Sequence, residues 1–366
     1  MKVARPLTLI ASALALLVSA CTQAPLNRTP DVLTPQVGTA ADDAADHLAV
    51  GESGIYIGGK WNSKPSLIKF GRAGNVPWVR SVSGWPVEVA LDSSGNAYIL
   101  YYSAANDAQY SVRKYSSSGA LVWQRQLANP SGTAFTYYAS DADAQDNLYL
   151  SFATHGTSGK TELRKYRPDG TLLYSKQVAG VVDDLAVTPD GTLYAASEVQ
   201  QQLTRYTPQG QRVWQRSLPM AGNKVAVGTS SQIYVAGHDP SHAEGRILLA
   251  KYSSGGGKSW QRVVQEGFFT YIEGLDAETK GNVFVGVNYR EDPYGDRDVY
   301  FHSYNAAGTR LARRTFDFTY DDSLAGIGAV SATEVYLAGT TYSDLTGEDG
   351  FVLRLNGLTG SVTWQR

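Results

Sequence analysis

One unit of sequence recurs seven times between Asp46 and Arg366, and it leaves very few folds open to the chain. An aromatic residue closes a β-like run at Tyr56, Tyr98, Tyr149, Tyr194, Tyr234, Phe284 and Tyr336, and a second anchor follows at Phe70, Tyr115, Tyr166, Tyr206, Tyr252, Tyr304 and Leu355. Four residues after the second anchor the first six copies carry glycine (Gly74, Gly119, Gly170, Gly210, Gly256, Gly308). Eight residues after it the first five carry Trp78, Trp123, Tyr174, Trp214 and Trp260. Copy six has Ala312 there, and copy seven slips by one residue to Gly360 and Trp364. Two residues beyond that site every copy is basic: Arg80, Arg125, Lys176, Arg216, Arg262, Arg314 and Arg366. The strand-b anchors stand 40 to 52 residues apart with no helical periodicity between them. This predicts an all-β fold, a seven-bladed β-propeller of four-stranded antiparallel blades over residues 46–366.

The second copy shows the unit best. Val87–Leu91, Ala97–Tyr102, Tyr110–Tyr115 and Ala120–Leu127 read as strands a to d, rich in β-branched and aromatic residues. The turns between them carry Gly beside Asp, Asn and Ser, which bond back to the backbone. The Tyr and Trp columns are expected to fill the wedge between blades. The basic column is expected on the solvated outer strand, pairing with carboxylates for less than about 1 kcal/mol per pair. All seven copies run a to d in the same phase, so no strand is left over to be swapped between the chain ends. Closure of the ring is expected from packing of blade one on blade seven; the alternative is a strand contributed by Asp31–Val37.

Residues 1–20 have the form of a lipoprotein signal peptide. Lys2 and Arg5 precede the apolar run Leu7–Val18, too short to span a bilayer, and Val18-Ser19-Ala20-Cys21 resembles a bacterial lipobox. Cys21 is the only cysteine, so it has no internal partner, and lipidation is its expected fate. Thr22 rather than Asp follows it, which implies the outer membrane in lipoproteins of Gram-negative type. Residues 21–45 then read as the lipidated cysteine and a Pro-, Thr- and Asp-rich flexible tether. Loss of residues 1–20 leaves 30 basic against 34 acidic residues, a balance of −4. Such a surface does not fit nucleic acid, which demands a basic face.

The pattern Asp-x-x-Gly-Asn-x-Tyr followed by Lys-Tyr-x-x-x-Gly-x-x-x-Trp, as in LDSSGNAYIL and RKYSSSGALVWQR, resembles the SBBP-type β-propeller repeat of bacterial exported proteins. The likeness covers residues 46–366, although copies four to seven depart from it in the first turn. Copy seven, RLNGLTGSVTWQR, is similar to the PQQ-like propeller repeat instead. The resemblance implies a non-enzymatic envelope protein, expected to be a monomer that binds a protein or polysaccharide partner. A second reading is an outer-membrane assembly factor similar to PQQ-like propeller lipoproteins. A third is a lyase or hydrolase acting at the channel mouth.

Strand a lines a propeller's channel. Ten residues before each strand-b anchor stand Asp46, Glu88, Ala139, Asp184, Lys224, Gly274 and Gly326, with Glu273 and Asp183 one position further back. Asp46, Glu88, Asp184, Lys224 and Glu273 are therefore expected around one mouth. Crowded carboxylates either raise one another's pKa or attract a cation such as calcium, a polyamine or a basic peptide; the alternative is a solvated polar funnel. Otherwise no cofactor is expected. His238 and His242 fall in a b–c loop with Pro240 between them, and His155 in a similar loop, which is no metal-site pattern. The acidic loops Glu291–Asp298 and Asp344–Asp349 are candidates for calcium but lack the ligand spacing of an EF-hand; the alternative is a pair of solvated hairpins. Exposed tyrosines for stacking a sugar are sought at Tyr101, Tyr137, Tyr289 and Tyr294. No Ser-His-Asp order, phosphate loop or paired-cysteine site is present.

Overall fold

A computed structural model of the chain describes residues 31–32, 41–103, 106–127, 137–153, 159–228, 232–243, 245–291, 294–318, 321–343 and 347–366. They form seven four-stranded antiparallel sheets arranged as a seven-bladed β-propeller. Blade one comprises Ala44–Gly51, Gly54–Trp61, Lys64–Phe70 and Trp78–Ser81, and blade seven Asp322–Ser331, Glu334–Ser343, Gly347–Leu355 and Val362–Gln365. Blades two to six begin at Gly84, Tyr137, Asp184, Ala221 and Phe268. The signal segment, Cys21 and His155 lie outside the described residues, as does most of the tether. No helix among the described residues is long and apolar enough to cross a membrane.

The repeat is legible in the packing. All seven strand-b anchors are buried, and several of the tyrosine hydroxyls among them bond to the next blade: Tyr56 Oη donates to Gly95 O at 2.8 Å and Tyr234 Oη to Gly281 O at 2.8 Å. The strand-d Trp and its basic neighbour grip the next blade's c–d hairpin. Trp78 Nε1 donates to Ser117 O (3.2 Å) and Arg80 Nε to Gly119 O (2.7 Å), while the Arg80 guanidinium lies 5.4 Å from the Trp78 ring centroid. Trp123 with Arg125 repeats this on Pro168 and Gly170, and Trp260 with Arg262 on Ala306 and Gly308. Among the described residues the basic column bonds backbone carbonyls of the next blade, as Arg80, Arg125 and Arg262 do, rather than carboxylates. A guanidinium flattened on an indole offers its N–H groups sideways, where backbone carbonyls wait. The hairpin must come close, which is why Gly119 has φ +85°, and a Cβ there would stand 2.9 Å from the Trp78 ring.

The turn motif also has a physical basis. Asp92 accepts from the Asn96 backbone and side chain and forms a buried ion pair with Lys114 Nζ at 2.8 Å. Asp143 and Lys165 repeat the pair at 3.2 Å in blade three. The Asp of the first turn and the Lys before the second anchor are two halves of one buried contact.

Closure needs no swapped strand. Trp364 Nε1 donates to Arg72 O at 3.1 Å and Arg366 Nε to Gly74 O at 3.3 Å, so blade seven clasps blade one as blades one, two and five clasp their neighbours. Beneath the clasp, Ile55, Ile57, Ile68 and Phe70 pack with Tyr336, Ala338 and Val352. Ion pairs Lys60–Glu348 and Arg72–Glu334 cross the same seam. The tether does contribute a strand, but elsewhere: Asp31–Val32 pairs in parallel with Phe316–Asp317 on the outer edge of blade six.

Candidate functional site: the acidic channel

The a strands enclose a channel cavity of about 350 Å³. Its walls are mostly polar: small side chains and backbone (Ala49, Ala90, Ala186, Ala226) alternate with five carboxylates, Glu88, Asp141, Asp184, Glu273 and Asp276, and with Lys224 and His47. Of the five residues expected at the mouth, Glu88, Asp184, Lys224 and Glu273 line the cavity. Asp46 does not: the ladder slips between Ala45 and His47, so Asp46 falls on the bulge and His47 takes the lining position opposite Gly58. In blades two and five the same slip brings Glu88 and Lys224 inward instead. The a–b hairpin of blade one is one residue tighter, with Tyr56 opposite Ala49, where Tyr98 of blade two lies opposite Ala90. A fixed count of ten therefore overshoots there by one. Asp46 comes near Lys60 and Glu348, where burial pushes its pKa up.

Asp141 and Asp276 were not visible to that count because they sit two residues deeper, opposite the anchors Tyr149 and Phe284. A search at the second inward position of strand a would have found them. They share one geometry with Asp184. Asp141 accepts from Ala142 N and, across the blade gap, from Val187 N, both at 2.7 Å. Asp184 accepts from Leu185 N at 2.9 Å and Val225 N at 2.8 Å. Asp276 accepts from Ala277 N and Ala329 N, both at 2.7 Å. Strand a is the inner edge of each sheet, so its N–H groups have no ladder partner toward the channel; each aspartate satisfies two.

Burial and mutual repulsion shift these groups. Burial first and then the charge of Asp184 raise the Glu88 pKa to about 8, with Lys224 opposing. Burial raises Asp141 to about 7 and Asp184 to about 6, held down by the backbone N–H groups they accept from and, for Asp184, by Lys224. Asp183, above Asp184, rises to about 7, chiefly by burial. Glu273 and Asp276 are also raised by burial. His47 is lowered to about 4 by burial and by Lys224. At neutral pH the site therefore offers a partly protonated acidic ring around one lysine and a neutral imidazole.

The face on which the a strands begin carries exposed rings beside this mouth. Trp85 lies three residues before Glu88, Tyr271 two before Glu273, and Tyr342 near the blade one–seven seam; all are more than a third exposed, and Tyr294 is 96% exposed. Tyr101 and Tyr289, expected to be exposed, are buried: Tyr101 packs between blades one and two, and Tyr289 lies 4.8 Å edge-on to Tyr300. The Tyr137 side chain lies outside the described residues. His238 packs edge-on against Tyr271 at 5.7 Å, and nothing joins it to His242 as a ligand pair.

No protein-family model matches the chain, and no curated protein sequence does. Solved structures do. Virginiamycin B lyase from Staphylococcus aureus, as a catalytically inactive variant with quinupristin, superposes with a TM-score of 0.61 at 10% identity, covering 86% of this chain and 97% of that one. A streptogramin B lyase gives 0.58 at 12% identity over 87% and 95%. BamB from Moraxella catarrhalis gives 0.50 at 15% identity over 84% and 85%. At these identities the likeness shows the fold: the chain is a β-propeller protein.

Proposed function

We propose that this is an exported β-propeller, anchored to the bacterial envelope through lipid on Cys21, whose acidic mouth and aromatic rim bind a partner without catalysis. The carrying observation is the channel cavity lined by five carboxylates and opening on the face of Trp85, Tyr271 and Tyr294. An acidic concavity flanked by rings suits a cationic segment of an envelope protein, whose ammonium or guanidinium groups pair with the acids and pack on the rings. A polysaccharide stacked on the same rings is the alternative occupant. The propeller shared with BamB supports the assembly-factor form of this reading. Export, the outer-membrane address, the monomeric state and the SBBP likeness rest on the sequence.

The test places photo-crosslinking residues at Trp85, Tyr271 and Tyr294 of the full chain in living cells, with Leu172 and Val213 on outer strands as controls. Adducts confined to the rim, and lost in Glu88→Lys/Glu273→Lys, support the reading. Equal adducts at both sets, or none, overturn it. Labelling with radioactive palmitate, abolished by Cys21→Ser, tests the anchor.

One observation favours a second reading. His47, kept neutral, and Glu88, whose pKa reaches about 8, line one cavity with Lys224; a neutral base beside a protonated acid is what an elimination needs. Incubation with quinupristin, the compound present in the lyase structure, followed by mass spectrometry, decides it. Cleavage lost in His47→Ala would make the chain a lyase.

A further inference from the structure

A second acidic cluster, outside the channel, sits where blade six meets blade seven. Asp298 begins strand c of blade six, Asp317 ends its strand d, and Asp322 begins strand a of blade seven. The pairing Val299↔Phe316 sets Asp298 and Asp317 side by side on adjacent strands, an arrangement of like charges that ordinarily costs stability. The connection from blade six to blade seven then folds back: Asp322 N donates to Arg297 O at 2.7 Å, and Phe318 N donates to Asp322 Oδ2 at 2.9 Å. One carboxylate oxygen from each aspartate lies within 4.8 Å of the other two.

Acids alone do not make a site, and here two further atoms are left over. Asp322 is fully buried, yet its Oδ1 has no hydrogen-bond partner among the described residues. Thr341, directly opposite Asp322 in the ladder and 2% exposed, has a hydroxyl that is also without one. That hydroxyl stands near enough to lower the Asp322 pKa as a hydrogen-bonding neighbour, yet the two do not meet the geometry of a formed hydrogen bond. A buried carboxylate oxygen with no donor costs about 1–3 kcal/mol or more, and an unbonded hydroxyl beside it adds to that cost. The surroundings make matters worse. Burial first, and then the charges of Asp317, Asp296 and Glu291, raise Asp298 to about 7. Asp322 is likewise raised to about 7, chiefly by burial, with Asp298 and Asp317 contributing.

We propose that Asp298, Asp317 and Asp322, with the Thr341 hydroxyl, form a site for a hard divalent cation, calcium in the first instance, that ties the outer strands of blade six to the inner strand of blade seven. The donors are all oxygen, which selects calcium, magnesium or manganese over zinc or copper. Ligands on opposite sides of a calcium ion at about 2.4 Å stand about 4.8 Å apart, so one ion spans the three carboxylates, and the remaining positions fall to water. The ion neutralises the cross-strand repulsion and gives the orphaned Asp322 oxygen a partner. It also fixes the strand end against which Val32 of the tether is paired. None of these residues lines the channel, so the site is independent of partner binding at the mouth.

The experiment is thermal unfolding of the full chain in detergent, first in chelator and then with 2 mM calcium, alongside titration calorimetry with calcium chloride. Asp298→Asn and Asp317→Asn serve as variants because both side chains are partly exposed, whereas Asp322 is buried. For the wild type we expect a rise of at least about 2 °C on calcium, absent from both variants. In chelator the order reverses, and Asp298→Asn melts above the wild type because one of the crowded charges is gone. No calorimetric heat and no shift with calcium, magnesium or manganese overturns the proposal. So does a calcium response retained in both variants; Glu88→Gln/Asp184→Asn then asks whether the ion sits in the channel instead.

Discussion

Asp184 Oδ2 in blade four accepts a hydrogen bond of 2.8 Å from the backbone N–H of Val225 in blade five. The same carboxylate therefore lines the channel and fastens two neighbouring blades at their inner edges. Asp141 and Asp276 do so at two further gaps. Acidity at the centre of this ring is partly a consequence of edge strands needing acceptors, and a ligand at the mouth meets carboxylates already held in place.

Substitution at the hairpin glycine separates conformational strain from mere bulk. Gly119→Ala places a Cβ 2.9 Å from the Trp78 ring at φ +85°, and is expected to cost about 1–3 kcal/mol. Gly255→Ala, in the equivalent hairpin of blade five, meets only Ser253 Oγ at 3.8 Å and should be nearly neutral. Urea denaturation of both variants checks this; equal losses would show that the clasp does not need its glycine.

Ring closure rests on side chains, with the backbone bond Asp43 N to Glu348 O beside them, rather than on a shared strand. Trp364→Ala removes the indole that bonds Arg72 O and stands 5.9 Å from the Tyr336 ring. A loss of about 2–4 kcal/mol is expected, with faster amide exchange concentrated in blades one and seven. Exchange rising equally in all blades would mean that the seam is no weaker than the rest.

The Asp92–Lys114 pair is buried at both ends. Lys114→Met leaves an unpaired buried carboxylate and should cost about 3–5 kcal/mol, whereas Lys114→Met/Asp92→Asn should recover part of that loss. A double variant as unstable as the single one would assign the cost to lost packing and hydrogen bonds instead.

The channel acids predict a pH dependence. Glu88 has a pKa of about 8 in the fold against 4.5 when exposed. Between those values the folded chain holds a proton that the unfolded chain has released, so stability falls as pH rises. Asp141, at about 7, acts in the same sense. His47, lowered to about 4 from 6.5, contributes an opposing rise that ends by pH 6.5. The fall is therefore read cleanly from pH 6.5 to 8. Over that window Glu88→Gln should lose less melting temperature than the wild type; parallel curves would show that Glu88 is not the group titrating.

What was legible in the sequence was whatever repeats. The anchors, glycines and Trp–basic pairs recur because most blades pack on the next through the same clasp, and a contact made again and again writes itself repeatedly into the chain. Blade number and strand order followed from that period, and the same count falls on Glu88, Asp184 and Lys224, which line the cavity. The places where the reading fell short are local. A hairpin one residue tighter in blade one exchanged Asp46 for His47, and Tyr101 and Tyr289 turned inward because side-chain direction depends on register. Asp298, Asp317 and Asp322 belong to three different strands, and their meeting has no sequence period at all. The sequence by itself determined the ring, because short-range patterning sets each blade and the blades are nearly alike. Only the tertiary structure decided which charges face one another, because bulges, turn lengths and the return of one blade onto the next act across the chain and leave no repeat to read.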